Sequence, residues 1–286
     1  MTAAPAFSVI VPTYRRPDRL AACLRALAAL DYPRDRFEVI VVDDGGGASL
    51  DGRPAGLDVT LHAQPHAGPA LARNTGAARA RGEYLAFTDD DCAPDAGWLR
   101  GLAEHAAAGA DQLIGGYTVN ALADNPYSSA TQLLIDYLYE WQAGRDSDEG
   151  FFASNNLAAP AALFRARGGF DTSFPLAAGE DRELCYRWVR SGGRLVYAAR
   201  AVVRHAHHLT LRTFWRQHVN YGRGAQRFHR RRVGSRGAGK PATFYTNLIA
   251  FPLTRARGSR RLTLTALLAL TQLATATGYW RERLRV

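Results

Sequence analysis

Three consecutive carboxylates, Asp89, Asp90 and Asp91, follow a short apolar run and are the clearest candidates for chemistry in the sequence. Like charges this close repel one another, and a hard divalent cation that prefers oxygen ligands relieves the repulsion. Because Asp89 and Asp91 are two residues apart, both can serve one metal ion and its bound substrate in a bend of the chain. An acidic turn that caps the next helix is the alternative, since aspartate is common in turns.

A second pair of acids, Asp43 and Asp44, ends an earlier apolar run in the same manner. The glycines that follow make an ordinary turn an adequate explanation. The functional alternative is a carboxylate that accepts the imide or amino hydrogen of a nucleobase. Two acidic strand ends at one edge of a sheet favour a site for a nucleotide and a metal over two coincident turns.

Glu180 and Asp181 open a segment with helical character. Acids in a first turn interact favourably with the helix dipole, so these two can be simple caps. One of them can equally be a general base held near a substrate hydroxyl, and the two roles are compatible. Farther along, His205 and His207 would share one face of an extended chain, as metal ligands or as ordinary core or surface histidines.

The segments that carry these residues predict an α/β fold. Continuous apolar runs predict strands covered on both faces, and leucine or alanine at helical spacing predicts helices between them. The predicted strands are Phe7–Pro12, Phe37–Val42, Asp58–His62 and Glu83–Thr88, and the predicted helices run from Pro17 to about Leu30, from Pro69 to Ala80 and from Asp181 to Ser191. This alternation is typical of a Rossmann-like, mostly parallel sheet with helices on both faces, which binds ligands at the carboxyl ends of its strands.

Charge is distributed unevenly along the 286 residues, whose net charge is +10. Residues 1–183 hold 15 Arg and 25 acidic residues, whereas residues 184–286 hold 21 Lys or Arg and one acid, Glu282. A region of one sign attracts anions such as nucleic acid, anionic lipid or phosphorylated ligands. A solvated basic surface is the alternative. From Leu211 onward the pattern predicts a basic, helical C-terminal extension.

Localisation is predicted from the cysteines, the N-terminus and one apolar segment. The three cysteines are far apart and form no CxxC pair, which argues against a disulfide framework or a thiolate zinc site and fits a reducing cytosol. Residues 1–7 show no signal-peptide pattern. Residues 262–280 are about as long as the roughly 20 residues of a membrane span, but their threonines favour a helix at the interface or packed on the protein.

Six short motifs, in this order, resemble those of the family 2 glycosyltransferases with the GT-A fold, over about residues 7–225. They are SVIVPTY at Ser8–Tyr14, VVDDG at Val41–Gly45, ARNTG at Ala72–Gly76, FTDDD at Phe87–Asp91, GGFD at Gly168–Asp171 and GED at Gly179–Asp181. Each motif is weak alone, and the six in order are specific. The resemblance implies transfer of a sugar from a nucleotide-diphosphosugar to an acceptor hydroxyl.

The resemblance also implies roles for individual residues. Those that it places at the donor are Pro12, Thr13, Tyr14, Asp44, Arg73, Asp89 and Asp90, with Asp44 at the base and Asp89 facing the ribose and sugar. Asp91 would hold a Mg²⁺ or Mn²⁺ ion that bridges the two phosphates, with Asp89 and His205 as further candidate ligands. Asp181 matches the base of a single, inverting displacement, and its neighbour Glu180 is the other catalytic candidate.

Two departures from the family pattern favour a single, non-processive transfer. The Gln-x-x-Arg-Trp motif of processive members is missing, since residues 215–222 hold Trp and Gln in another order, and the several spans of polysaccharide synthases are missing too. We predict a catalytic domain at 1–210, with a nucleotide-sugar half to about 115 and an acceptor half at 116–210. The helical extension would occupy 211–286.

We expect a saccharide or lipid-linked acceptor near the membrane, with the basic extension on an anionic membrane surface at the inner face of the cell membrane. A soluble enzyme that glycosylates a small metabolite or a protein is the alternative. A hypothesis of another class is a basic nucleic-acid-binding protein that uses residues 212–261, where aromatic side chains interleave with arginine. No recognisable nucleic-acid motif supports it, so no specific nucleic-acid partner is expected.

Overall fold

The computed structural model describes residues 6–109, 111–143, 150–174, 176–232 and 240–285. Contacts divide the chain into two compact units, one within residues 1–119 and 148–206 and the other within 120–147 and 207–286. The strands are β1 (Phe7–Thr13), β2 (Phe37–Asp43), β3 (Val59–Ala63), β4 (Tyr84–Phe87), β5 (Cys92–Pro94), β6 (Gln112–Asn120), β7 (Leu157–Pro160) and β8 (Arg194–His205). The helices are α1 (Pro17–Ala28), α2 (Pro69–Arg79), α3 (Trp98–Ala106), α4 (Pro126–Gln142), α5 (Ala161–Ala166), α6 (Glu180–Arg190), α7 (Leu211–Arg231), α8 (Ala242–Arg255) and α9 (Arg260–Arg283).

The strands of the described residues form one mixed sheet in the order β3-β2-β1-β4-β7-β6-β8-β5. β1 is parallel to β2 and to β4, and β2 is parallel to β3, as the alternation of strands and helices predicts. The later strands pair antiparallel, β7 with β4 and β6 and β5 with β8. The predicted α/β fold class is confirmed, with the parallel part confined to the first four strands.

Burial on both faces explains why the central strands are mostly apolar. Every residue of β2 is buried. Val39 and Val41 join the core that contains the leucines of α1, whereas Ile40 and Val42 pack with Ala72 of α2. Since successive side chains of a strand point to opposite faces, the two helices cover the two faces of the sheet. Each large apolar side chain buried in this way stabilises the fold by about 1.5–3 kcal/mol.

The helical unit contains α4, α7, α8 and α9, so the predicted helical C-terminal region is confirmed. One of its apolar clusters joins Leu134 and Tyr137 of α4 to Leu248 of α8 and Leu268 of α9. α4, whose residues lie in the predicted acceptor half, belongs to this unit by its contacts. The predicted division into a catalytic domain with two halves and an extension from residue 211 stays a prediction.

Residues 262–280, which are about as long as a membrane span, form most of α9. None of the helices in the described ranges combines the length and the hydropathy that crossing a bilayer requires.

Close approach of α7 and α9 predicts a strong effect of adding one methyl group. A Cβ atom on Gly278 would lie 1.9 Å from the carbonyl oxygen of Val219. To relieve this clash, the backbone of one of two tightly packed helices would have to shift, which costs free energy. We expect Gly278→Ala to lower the free energy of unfolding by about 1–3 kcal/mol, measured by thermal denaturation. Gly97→Ala is the matched control, because a Cβ atom there would meet nothing within 4 Å. Equal melting temperatures for the two variants would contradict the packing.

Candidate active site

Parallel pairing brings the acidic motifs to one edge of the sheet. Thr13 at the end of β1 lies opposite Asp43 at the end of β2, and Ile10 lies opposite Phe87 at the end of β4. The chain that leaves each strand therefore emerges at the same edge, where the FTDDD segment follows β4. The sheet edge is the place that an open α/β fold offers to a ligand.

Asp91 and His205 lie together at this edge. The antiparallel pairing of β5 with β8 sets Cys92 opposite His205, and the backbone N–H of Ala206 donates to the Asp91 carbonyl at 2.8 Å. As a result, His205 Nε2 lies 3.2 Å from Asp91 Oδ1. The side-chain donor atoms of Asp91, Cys92 and His205 all lie within 4.8 Å of one another.

The donor atoms of this group fit a hard or borderline divalent cation. A carboxylate oxygen and an imidazole nitrogen are suitable ligands for Mn²⁺, whereas burial raises the pKa of the Cys92 thiol well above its ordinary value and keeps it protonated. Burial lowers the pKa of His205, but its hydrogen bond to Asp91 and the charge of that carboxylate outweigh burial and raise it overall. A proton and a metal ion would thus compete for His205 Nε2.

Two arginines, which sequence reasoning missed, face the same carboxylate. Arg19 Nη1 lies 3.0 Å from Asp91 Oδ2, and Arg16 Nη1 lies 3.4 Å from that same oxygen. Arg15, just before them, has a positive φ of 54°, which is uncommon for a residue other than glycine and recurs at functional sites. The loop after β1 and the first turn of α1 therefore add two cationic groups to the acidic sheet edge.

The other two acids of the FTDDD motif face different partners. Asp90 is buried, and its carboxylate accepts a hydrogen bond from Thr13 Oγ1 at 2.8 Å and one from Arg16 at 3.1 Å. Burial raises the pKa of Asp90 despite these donors. Asp89 pairs with Arg73 at 2.7 Å and is not a member of the Asp91–His205 ligand group. The predicted metal contact of Asp89 and the predicted donor contact of Asp90 stay predictions.

Arg73 of α2 links Asp89 to the acids at the start of α6. This buried guanidinium lies 2.7 Å from Asp89 Oδ1 and, on its other side, 3.4 Å from Glu180 Oε1. Within the described residues, Glu180 Oε2 has no hydrogen-bond partner. Burial, and then the charge of Asp181, raise the pKa of Glu180 to about 8. The buried Glu180 carboxyl group therefore holds a proton more readily than an ordinary glutamate does.

Asp181 is less enclosed than Glu180 and accepts a hydrogen bond from the backbone N–H of Arg182 at 2.7 Å. Burial raises its pKa above the ordinary value of aspartate. A partly exposed carboxylate with a raised pKa has the properties of a general base. Of the two catalytic candidates in the GED motif, Glu180 thus contacts Arg73, which also pairs with Asp89, and Asp181 is its neighbour in the chain.

Asp44 anchors the loop that leads into α2. Its carboxylate accepts hydrogen bonds from the Gln64 side chain at 2.7 Å and from the backbone N–H of Ala67 and of Gly68 at 2.9 and 2.8 Å. His66 Nδ1 lies 2.8 Å from the same carboxylate. The buried Asp44 therefore shapes this loop, and its predicted contact with a nucleobase stays a prediction.

An aromatic pair lies beside Asp44. The rings of Tyr14 and His66 stack with centroids 4.2 Å apart, and both side chains are at least partly exposed. Pro12, which is partly buried, ends the apolar part of β1 just before them. His66 gave no signal in the sequence, because only the fold brings the loop after β3 to the end of β1.

Solved structures share this fold. The mannosyltransferase PcManGT from Pyrobaculum calidifontis, solved with GDP-Man and Mn²⁺, superposes with a TM-score of 0.66 at 20% identity and covers 98% of this chain and 89% of that one. Staphylococcus aureus TarS in complex with UDP-GlcNAc gives a TM-score of 0.54 at 19% identity over 96% of this chain and 89% of that one. At these identities the likeness shows the fold alone, and it confirms the predicted GT-A class.

Sequence comparison identifies the family. The model of glycosyl transferase family 2 matches residues 8–166, which is more than half of the chain. The protein therefore belongs to glycosyl transferase family 2, as the six motifs predict.

Curated relatives agree with this family. The pre-mycofactocin glycosyltransferase of Mycobacterium tuberculosis is 30% identical over 226 residues, which are 76% of this chain and 46% of that protein. The succinoglycan biosynthesis protein ExoM of Rhizobium meliloti is 31% identical over 201 residues, which are 68% of this chain and 64% of ExoM. The chain thus spans only part of the length of each relative.

Proposed function

We propose that the protein is an inverting glycosyltransferase that moves one sugar from a nucleotide-diphosphosugar to an acceptor hydroxyl. The observation that carries the proposal is the link between two groups at one sheet edge. Asp91 and His205 offer a metal-binding pair. Two residues before Asp91, Asp89 pairs with Arg73, which also contacts Glu180 beside the candidate base Asp181. A site for the leaving diphosphate and a base for the incoming hydroxyl are therefore adjacent.

Asp91 and His205 are the residues that would hold Mn²⁺ or Mg²⁺. When bound, such an ion supplies Lewis acidity that takes up charge on the departing nucleoside diphosphate. The stacked pair of Tyr14 and His66 offers an aromatic surface for the nucleoside, and Asp44 keeps the loop that carries His66 in place. These residues bind and orient the donor.

Asp181 takes the part of the general base. The acceptor oxygen attacks the anomeric carbon from the face opposite the diphosphate, its proton passes to Asp181, and the bond from the anomeric carbon to the diphosphate oxygen breaks. The electron pair leaves with the nucleoside diphosphate, so one displacement inverts the configuration. Glu180 is buried and faces Arg73 at 3.4 Å, whereas Asp181 is partly exposed. Glu180 is therefore proposed to position Arg73 and not to take the proton of the acceptor.

Arg16 and Arg19 are proposed to contact the diphosphate. In the structure their guanidinium groups face Asp91 Oδ2, and a guanidinium at the same sheet edge is suited to donate to the phosphate oxygens of a bound donor. We expect Arg19→Gln to weaken nucleoside-diphosphate binding about tenfold, because a charged hydrogen bond is lost. Calorimetry measures this affinity. Arg25→Gln, an exposed arginine later in α1, is the control, and equal losses in both variants would contradict the role of Arg19.

We further propose that the acceptor is a saccharide or a lipid-linked saccharide near the inner face of the cell membrane. The excess of cations in residues 184–286, with Glu282 as their single acid, supports an anionic surface or a phosphorylated acceptor as the partner. High-salt extraction separates this proposal from that of a soluble enzyme for small metabolites or proteins. Release from membranes by salt supports the first, and absence from the membrane fraction at low salt supports the second.

Nucleoside-diphosphate release tests the proposed activity. The purified protein is incubated with UDP-, GDP- and dTDP-sugars, with Mg²⁺, with Mn²⁺ and with a chelator. We expect release from one donor class that depends on the metal and rises when an acceptor saccharide is added. No release from any donor, together with no metal-dependent binding of any nucleoside diphosphate, would contradict the proposal.

A further inference from the structure

One side of α9 carries apolar residues along its whole length, and all of them are exposed except Ala269, which is half-buried. Its positions recur at steps of three or four residues, the spacing that keeps side chains on one face of a helix. They are Leu262, Ala266, Ala269, Leu273, Ala276, Trp280 and, just past the last residue of the helix, Leu284, and we call them the α9 stripe. The exposed fractions of Leu262, Leu273, Trp280 and Leu284 are 67, 62, 54 and 81%. A contiguous apolar patch of this kind marks an interaction surface.

Packing on the other side fixes the orientation of α9. Leu264, Leu268 and Gly278 are buried there, and Gly278 lies against the backbone of α7. Glu282 accepts hydrogen bonds from Arg223 and from a second arginine of α7 at 2.8 and 2.6 Å. The helix therefore cannot rotate to bury the α9 stripe without losing these contacts.

The charge around the α9 stripe indicates which kind of partner covers it. Residues 211–286 hold 16 Lys or Arg and a single acid, Glu282, whose charge is already paired within the unit. Exposed arginines stand near both ends of the α9 stripe: Arg261 at its start, and Arg281 and Arg283 at its end. A second copy of this surface would bring like charges together, whereas an anionic bilayer neutralises them while it covers the apolar side chains.

We propose that the α9 stripe inserts into the interface of an anionic membrane, with α9 lying in the plane of the bilayer. The side chains of the α9 stripe enter the boundary between headgroups and acyl chains, and the flanking arginines reach the phosphates. Trp280, with the Arg283 guanidinium 5.0 Å from its ring centroid, has the mixed character of a side chain at that boundary. The proposal does not depend on the proposed glycosyl transfer, because it uses neither the donor nor the catalytic residues.

Vesicle co-sedimentation of the full chain tests the proposal. The probes are vesicles of phosphatidylcholine with about a third phosphatidylglycerol and vesicles of phosphatidylcholine alone. We expect Leu273→Glu to weaken binding to the anionic vesicles about tenfold or more, because the leucine side chain that would enter the bilayer is lost. Leu211→Glu is the matched control, since Leu211 is 52% exposed at the start of α7, lies off the α9 stripe and undergoes the same change of charge. That control should weaken binding less than about threefold.

Fluorescence gives a second test that does not perturb the charge. Brominated lipid should quench part of the tryptophan emission of the wild type, and Trp280→Phe should lose that quenched part. Equal weakening of vesicle binding by Leu273→Glu and Leu211→Glu would overturn the proposal. Binding would then depend on the net charge of the protein and not on insertion of the α9 stripe. Failure of the wild type to bind, or a change from dimer to monomer caused by Leu273→Glu, would also overturn the proposal. Nucleoside-diphosphate binding, measured on the same proteins without vesicles, reports on the proposed function separately.

Discussion

Asp181→Asn is expected to reduce sugar transfer by about 10²- to 10⁴-fold while the affinity for the donor stays the same. Asparagine keeps the shape of the side chain and can still accept the hydrogen bond from the backbone N–H of Arg182, but it cannot accept the proton of the acceptor hydroxyl. The loss should therefore fall on kcat. Release of nucleoside diphosphate in the presence of acceptor gives the rate, and calorimetry gives the donor affinity.

Glu180→Gln is the matched control for this variant. Because Glu180 is proposed to position Arg73 and not to take the proton of the acceptor, its amide, which can still accept from Arg73, should support turnover within about tenfold of the wild type. A greater loss of activity in Glu180→Gln than in Asp181→Asn would contradict this assignment and make Glu180 the general base.

The pH dependence of kcat/KM follows from the direction of the Asp181 shift. A base acts only when it is deprotonated, so activity is lost as the pH falls through its pKa. Burial raises the pKa of Asp181 above the ordinary value of aspartate, which moves this acid limb to higher pH. We expect this loss of kcat/KM at low pH in the wild type and not in Asp181→Asn. An identical limb in both would show that another group titrates.

Asp91→Asn is expected to weaken metal-dependent binding of the nucleoside diphosphate by at least about 10- to 100-fold. Loss of a group that only supports a metal ligand costs this much, and Asp91 is proposed as a ligand itself. Asp95→Asn is the control, because Asp95, just past the end of β5, pairs with Arg204 at 2.7 Å. Calorimetry with and without Mn²⁺ measures both. If Asp91→Asn keeps its metal dependence, the ion binds elsewhere.

Local pattern predicts the first half of the fold well. The apolar runs at Phe7 and Phe37 become β1 and β2, because a strand buried on both faces is mostly apolar and lacks the alternation of a half-exposed strand. The Asp–Asp–Gly and FTDDD segments then follow strand ends that lie at one sheet edge. The helix predicted from Asp181 to Ser191 forms over Glu180–Arg190.

The rest of the candidate site depends on contacts between distant parts of the chain. β5 is only three residues long, too short to show a pattern, yet its pairing with β8 brings His205 to Asp91. Arg16 and Arg19 resemble ordinary exposed arginines until the fold places them on Asp91. No pattern in the sequence predicted the helix α4 or its packing with the C-terminal helices.

The proposed metal site is tested most directly by pulsed electron paramagnetic resonance of Mn²⁺ bound to the protein with UDP, GDP or dTDP. We expect modulation from an imidazole nitrogen and a phosphorus coupling in the same spectrum for one of these nucleotides. In His205→Gln the nitrogen modulation should vanish while the phosphorus coupling remains. Phosphorus coupling without any nitrogen signal in the wild type, or spectra that match Mn²⁺ and nucleotide free in solution, would contradict a donor site built on Asp91 and His205.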